Sequence, residues 1–215
     1  MIKRSDMQKI VRNYSDLRIG VLGSHSALEV MDGAKDENLN TVVFCQKGRE
    51  VPYQRFGRIA DEIMVLKKFK DIASASNQKK LRDTCTVIIP HRSLTAYLGY
   101  DILENKLKIP IFGNRALFQA EERYNKKNQY YLLKKAGIKY PKIFKDPKTI
   151  NKPAIVKVQE KNRKLERAFF TVSSYSDFKK KSEEKIKNGI ISRKDLNESS
   201  IEELAIGTYL NFNYF

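Results

Sequence analysis

"RIGVLGSHSALEVMDGAKD", Arg18 to Asp36, sets an apolar run, a tight turn and a helical pattern one after another. Ile19 to Leu22 form a run broken only by Gly20, with no polar alternation, which marks a strand covered on both faces. After the turn Gly23-Ser24-His25-Ser26, Leu28, Met31 and Ala34 recur at helical spacing. Strand, tight turn and helix in that order are the first unit of a parallel α/β sheet. Dinucleotide-binding proteins fill such a turn with glycines, but "GSHSAL" lacks the G-x-G-x-x-G pattern, so a dinucleotide site is set aside. The turn instead carries one of the chain's two histidines.

Working outward, the same grammar repeats. Strand candidates are 18–24, 41–46, 62–66, 84–90 and 109–114, separated by helical crossovers, which predicts a doubly wound parallel sheet. Ligands of such sheets bind at the carboxyl ends of the strands. The second histidine, His91 in "TVIIPHRSLTAYLGYD", also stands where a buried strand ends. Ser26 follows His25, and Ser93 follows His91 by two residues, so the topology brings both turns to one edge of the sheet. Imidazole, hydroxyl and free backbone N–H groups there suit a phosphate or a polar small molecule. The plainer alternative is a pair of capping or structural histidines. No Asp or Cys stands in sequence to form a triad with either, and two histidines alone make a poor metal site.

Near residue 115 the pattern changes. Residues 115–141 read as helical material, stopped by Gly137 and followed by Pro141. Two strand-like runs follow, 153–159 and 167–174, joined by the basic loop 160–166, then a lysine-rich helix over 176–189. Residues 200–215 read as a strand, a turn at Gly207 and a second strand inside which the chain stops, which suggests truncation. Lys157 lies mid-strand in "PAIVKVQE", where an ammonium is costly unless it meets an anion. The alternative is a strand whose second face is solvated. Glu202 and Glu203 suit a metal or a plain edge strand, and the terminal "YLNFNYF" suits a core.

With 215 residues and 41% apolar content, the chain suffices for one large domain or two small ones. No run approaches the roughly 18 to 20 apolar residues of a membrane helix, and the N-terminus has no signal-peptide pattern. Cys45 and Cys85 sit in apolar, strand-like runs as reduced core thiols, which points to the cytoplasm. The formal charge of +17 fits a nucleic-acid partner, a small anionic substrate or simply a lysine-rich surface.

The strings "GSHSALEVMDGAKDE", "VVFCQKGREVPYQRFGRIADE", "VIIPHRSLTAYLGYD", "IPIFGNRALFQAEER", "KAGIKYPKIFKDP", "PAIVKVQE" and "IEELAIGTYLNFNYF" together resemble the archaeal formate-dependent FAICAR synthetase family of ATP-grasp ligases. The resemblance implies an α/β pre-ATP-grasp substrate domain over 1–117 and the first part of an ATP-grasp domain over 118–215. It implies formylation of AICAR to FAICAR in purine (IMP) biosynthesis, with ATP and formate as co-substrates and formyl phosphate as intermediate. On it, His25 and Ser93 match AICAR-binding positions, Lys157 a phosphate-binding lysine, and Lys127 a second ATP lysine. Glu203, Leu204, Ala205 and Ile206 match the linker that reads adenine. No catalytic residue is assigned, and the Mg²⁺ carboxylates are expected beyond residue 215, so the chain alone is expected to be inactive. The loop "EKNRKLERAFF" departs from the family in lacking glycine, with Arg163, Lys164 or Arg167 available to grip phosphate instead. The alternatives are an inactive nucleotide-binding paralogue and, behind it, a basic nucleic-acid-binding protein. AICAR and formate are the partners expected; membrane and nucleic acid are not, and a homo-oligomer stays open.

Overall fold

Continuous apolar strands need helices on both faces, and the computed structural model shows that arrangement in the first of two compact units, Met1–Glu121 and Glu122–Phe215. The structure describes residues 1–120, 122, 125–158, 168–208 and 210. The first unit runs α1 (Arg4–Val11), β1 (Arg18–Leu22), α2 (Ala27–Asp36), β2 (Asn40–Gln46), α3 (Val51–Arg55), β3 (Glu62–Leu66), α4 (Ala75–Asp83), β4 (Thr86–Ile88) and α5 (Arg92–Leu98). Its sheet has the order β3-β2-β1-β4 with every pairing parallel. β1 therefore lies centrally, and its burial is complete from Ile19 to Leu22. One face packs Leu22, Phe44, Ile72, Leu94 and Leu98, and the other packs Val21, Met31, Val43, Cys45 and Tyr53.

Gly20 and Gly23 are required by these two layers. A Cβ on Gly20 would stand 2.6 Å from Thr86 Cγ2 and 2.7 Å from Phe44 Cζ, and one on Gly23 would stand 2.8 Å from Cys45 Sγ. The amino edge of the sheet is closed by charge pairs. Glu62 meets Arg18 and Lys80, each at 2.6 Å, and Asp61 meets Lys35 at 2.5 Å.

Three sequence expectations change here. The strand expected over 109–114 is a single parallel bridge, Ile111 to Ile88. Ile88 N–H donates to the Pro110 carbonyl and Phe112 N–H returns to Ile88 O, both at 2.9 Å. Pro110 has no N–H with which to extend the ladder, and Gly113 turns the chain at φ +86°. The strand expected over 84–90 shortens to three residues, because Cys85 takes a left-handed φ of +52°. Cys85 consequently lies in a half-buried turn, not inside the strand. The helix expected across 115–141 contracts to a 3-10 turn at Arg115–Leu117 and to α6 (Gln129–Lys135). Asn128 starts α6 by accepting from Tyr130 N and Tyr131 N, and Gly137, at φ +69°, follows its end as expected.

In the second unit, α6 is followed by β5 (Ala154–Lys157), β6 (Phe170–Val172), α7 (Tyr175–Lys187), α8 (Arg193–Asn197) and β7 (Ser200–Glu203). The sheet is antiparallel, ordered β6-β5-β7. β5 alternates, with Ala154 and Val156 buried toward α7 and Ile155 and Lys157 half-buried on the opposite face. The chain leaves β7 after Glu203, where the expected strand continued. The further strand expected after Gly207 and the basic loop 160–166 fall mostly on residues 209, 211–215 and 159–167, outside the described residues. No helix among the described residues is long and apolar enough to cross a membrane.

Candidate functional site

Parallel pairing puts the ends of β1, β2, β3 and β4 on one rim, and the residues just past those ends meet there. Gly23 N–H still bonds to Phe44 O at 2.8 Å, holding the turn against β2. His25 then takes φ +49°, a left-handed conformation that L-residues rarely adopt and that concentrates at functional sites. This turn exposes its imidazole, and Nδ1 hydrogen-bonds Ser26 Oγ at 2.5 Å.

His91 reaches the same place from β4. The two imidazoles stack with centroids 6.0 Å apart and planes 17° from parallel. Their roles differ, however. His91 Nδ1 accepts Ser93 N–H at 3.3 Å, capping α5, so Nε2 carries the proton and donates to Leu22 O at 2.9 Å. Burial favours the neutral ring and holds its pKa below the usual imidazole value, outweighing the Leu22 carbonyl. His91 thus ties the end of β1 to the start of α5. Ser93 is placed by this brace, and its hydroxyl donates to Ser24 Oγ at 3.3 Å.

Sequence reasoning missed three members of the rim. Ser24 accepts from Ser93, and the Tyr97 hydroxyl is held below its ordinary pKa by Arg49 first and by Ser24 as well. Arg49 Nη1 donates to Tyr97 Oη at 3.0 Å. The guanidinium carbon lies 5.4 Å from the Tyr97 ring centroid and 5.7 Å from that of Phe69, and the two rings pack at 4.6 Å. The available signal was position: Arg49 comes three residues after β2, as His25 comes three after β1. Beside it, Glu50 buries Oε2 without a hydrogen-bond partner among the described residues. Burial and then this carboxylate push the Cys45 thiol up to about 12.

In the second unit, Lys157 lies on the half-buried face of β5 and its ammonium meets Glu202 at 2.5 Å. Glu202 is 1% exposed. Burial would raise its pKa, but hydrogen bonds from Lys157, Tyr130 and Ser200 outweigh that and keep it low, so the carboxylate stays charged. Glu203 turns outward, pairing with Lys152 at 2.6 Å and accepting Lys142 N–H at 3.2 Å. Leu204 N–H bonds to Pro153 O at 2.9 Å, after which Ala205 and Ile206 run exposed. Lys127 is exposed in the loop before α6, its own N–H donating to Asn125 Oδ1. No cluster of three metal-ligating side chains occurs among the described residues. The donor chemistry agrees, because Glu202 and Glu203 each engage a lysine instead of converging on a cation.

A family profile described as "Protein of unknown function (DUF1246)" matches residues 19–144, and one described as "Domain of unknown function (DUF1297)" matches residues 177–215. The chain is 40% identical over 217 residues to the 5-formaminoimidazole-4-carboxamide-1-(beta)-D-ribofuranosyl 5'-monophosphate synthetase of Methanopyrus kandleri, and 36% identical to that of Methanocaldococcus jannaschii. Each alignment takes in all of this chain and 59% of the relative, so the chain spans less than two thirds of these relatives' length. Among solved structures it resembles the IMP biosynthesis protein PurP from Thermococcus kodakaraensis at TM-score 0.55 and 20% identity, over 88% of this chain and 50% of that one. It also resembles N5-carboxyaminoimidazole ribonucleotide synthetase from Thermotoga maritima at TM-score 0.55 and 16% identity, over 88% of this chain and 46% of that one. These two likenesses agree with the fold described above: α/β, a parallel-sheet unit followed by an antiparallel one.

Proposed function

Because the chain belongs to the DUF1246 family, we propose that it supplies the substrate-binding unit and part of the nucleotide site of a cytoplasmic ATP-grasp ligase that formylates AICAR to FAICAR. The observation that carries this reading is the meeting of His25, Ser93, Ser24 and His91 at the carboxyl rim of the parallel sheet. The relatives' name supplies the substrate class, since each is a synthetase of the formylated imidazole nucleotide.

The reaction joins ATP, formate and AICAR to give FAICAR, ADP and phosphate. Formate is a carboxylate and resists attack until one of its oxygens takes the terminal phosphoryl group of ATP, with ADP leaving. The 5-amino group then takes the formyl carbon, and the phosphate departs with that oxygen. In this scheme His25 and Ser93 hold AICAR by imidazole and hydroxyl. His91 stays neutral and positions Ser93 without touching the ligand. Lys157 faces the nucleotide phosphates with the donors that Glu202 leaves free, three N–H groups being available on an ammonium. The backbone from Glu203 to Ile206 reads the adenine edge, and Lys127 is the second nucleotide lysine. Magnesium belongs to this chemistry, but no carboxylate set among the described residues fits it, and no step is routed through it here.

Isothermal calorimetry tests the reading. The chain should bind AICAR, and His25→Ala and Ser93→Ala should each weaken that binding about tenfold, the worth of one hydrogen bond at the upper end of the usual range. Lys157→Met made together with Glu202→Leu, so that no buried charge is left alone, should weaken a non-hydrolysable ATP analogue and leave AICAR unaffected. Wild-type protein that releases no heat with AICAR, or variants that bind as wild type, would sink the reading.

A further inference from the structure

A phosphorylated ligand on this rim needs a cation, and the residues assigned to it so far bring none that is fixed. His91 is braced as a neutral ring, and Ser24 and Ser93 are hydroxyls. The cation whose side chain is fixed at this rim is Arg49, which hydrogen-bonds Tyr97. Its place is set by the backbone: Arg49 N–H returns to Gln46 O at 3.0 Å, closing a turn at the end of β2 in which Gly48 takes φ +88°. Its side chain is held by Tyr97 Oη and by the two rings of Tyr97 and Phe69. Ser24, which receives the Ser93 hydroxyl, acts with Arg49 to hold the Tyr97 hydroxyl below its ordinary pKa.

Arg49 also forms no ion pair among the described residues. The cations of the amino edge are different: Arg18, Lys80 and Lys35 each meet a carboxylate. A guanidinium carries five N–H donors in a planar fork. One of them is spent on Tyr97, so a pair remains to grip a phosphate in bidentate fashion.

We propose that Arg49, held by Tyr97 and Phe69, is the anchor for the phosphate group of the ligand bound at this rim, and so the residue that selects a nucleotide over its nucleoside. The assignment deepens the AICAR reading and rests on it for the identity of the heterocycle, though not for the phosphate. Phosphate binding by Arg49 calls for no bond making and leaves the chemistry of formyl transfer untouched.

The experiment is calorimetry on the full chain with three probes: AICAR, its dephosphorylated nucleoside, and ribose 5-phosphate. Arg49→Gln should weaken AICAR and ribose 5-phosphate by about 10- to 100-fold, the worth of a hydrogen bond to a charged group, and leave the nucleoside unchanged. Arg49→Lys should recover part of the loss, because it restores charge without the fork. Tyr97→Phe keeps the ring and removes the hydroxyl, so it should cost a smaller factor in the same direction. Thermal melts of each variant separate lost binding from lost folding, and Arg49 is exposed enough for the fold to survive its change. Equal weakening of AICAR and nucleoside, or none of either, overturns the anchor while AICAR binding stands. Arg49-dependent binding of ribose 5-phosphate with no AICAR binding keeps the anchor and removes the AICAR reading. A wild-type chain that binds none of the three probes overturns both.

Discussion

The two units handle charge in opposite ways. At the parallel sheet's carboxyl rim, polar groups come from turns beyond the strands, and Arg49 keeps donors free for a guest. In the antiparallel unit the charged groups stand within the strands themselves, and Lys157 and Glu202 already satisfy each other against a nearly dry face. The first arrangement costs the fold little, because strand ends are solvated whatever occupies them. The second is part of the fold, since a charge on a sheet face must be paired or hydrogen-bonded before the sheet can close. A strand-end site is therefore open to substitution without loss of the sheet, whereas a mid-strand site is not.

The largest expected break in that comparison is Glu202→Leu. It removes the partner of a half-buried ammonium and should cost about 3 kcal/mol of stability, measured by urea unfolding. The double change Lys157→Met with Glu202→Leu should recover most of that loss. If the single variant melts as wild type, the pair is not structural and the contrast fails.

Gly23→Ala comes next. The added methyl must displace Cys45 Sγ at 2.8 Å, or press on the Phe44 carbonyl and Tyr53, both at 3.1 Å. We expect about 1–3 kcal/mol of destabilisation. If the proposed AICAR site is right, AICAR affinity should fall with it, because His25 follows in the same turn. His25→Ala, by contrast, should weaken ligand binding with little effect on the melting temperature.

The brace makes a pH prediction. Burial lowers the His91 pKa in the folded chain, so the unfolded chain takes the proton first as pH falls. The contribution of His91 to stability is therefore complete above the ordinary imidazole value near 6.5 and is lost progressively below it. Protonation also removes the Nδ1 acceptor that caps α5. A stability curve between about pH 7 and 5 should fall for wild type and flatten for His91→Asn, which keeps a good capping residue. Equal slopes would show that His91 does not titrate with folding.

The smallest effect expected is at Glu50. Its buried Oε2 lacks a donor among the described residues, so Glu50→Gln replaces an incompletely hydrogen-bonded carboxylate by a neutral group. A gain of about 0.5–1 kcal/mol is expected in urea unfolding, with the Arg49 turn intact. A loss instead would mean that this carboxylate supports the rim.

The parallel sheet was legible because its signal is local and redundant. The strands are apolar runs, the first broken only by Gly20, the crossover after it has helical spacing, and pairing of such runs leaves few topologies. His25 and His91 were legible for the same reason, since topology alone carries two strand ends to one edge. The strand expected at 109–114 was not, because Pro110 and Gly113 outweighed its apolar pattern once the ladder had to be built. Cys85 looked like a strand thiol until its backbone took a left-handed turn. Glu202 was the hardest to read. Two adjacent carboxylates left a metal or a plain edge strand open, but alternation sends them to opposite faces, Glu202 beside Ile155 and Lys157 and Glu203 beside Ala154, and each meets its own lysine.

By itself, then, the order of residues determined which segments became strands, which turns followed them and which side chains stood at those turns. These follow from neighbours along the chain, through burial periodicity and turn chemistry. Only the folded arrangement decided that His91 braces, that Arg49 leans on Tyr97 and Phe69, and that Lys157 is met by Glu202. Those outcomes depend on distances between residues 20 to 69 positions apart, set by packing and by the dielectric around each group, which no local pattern encodes.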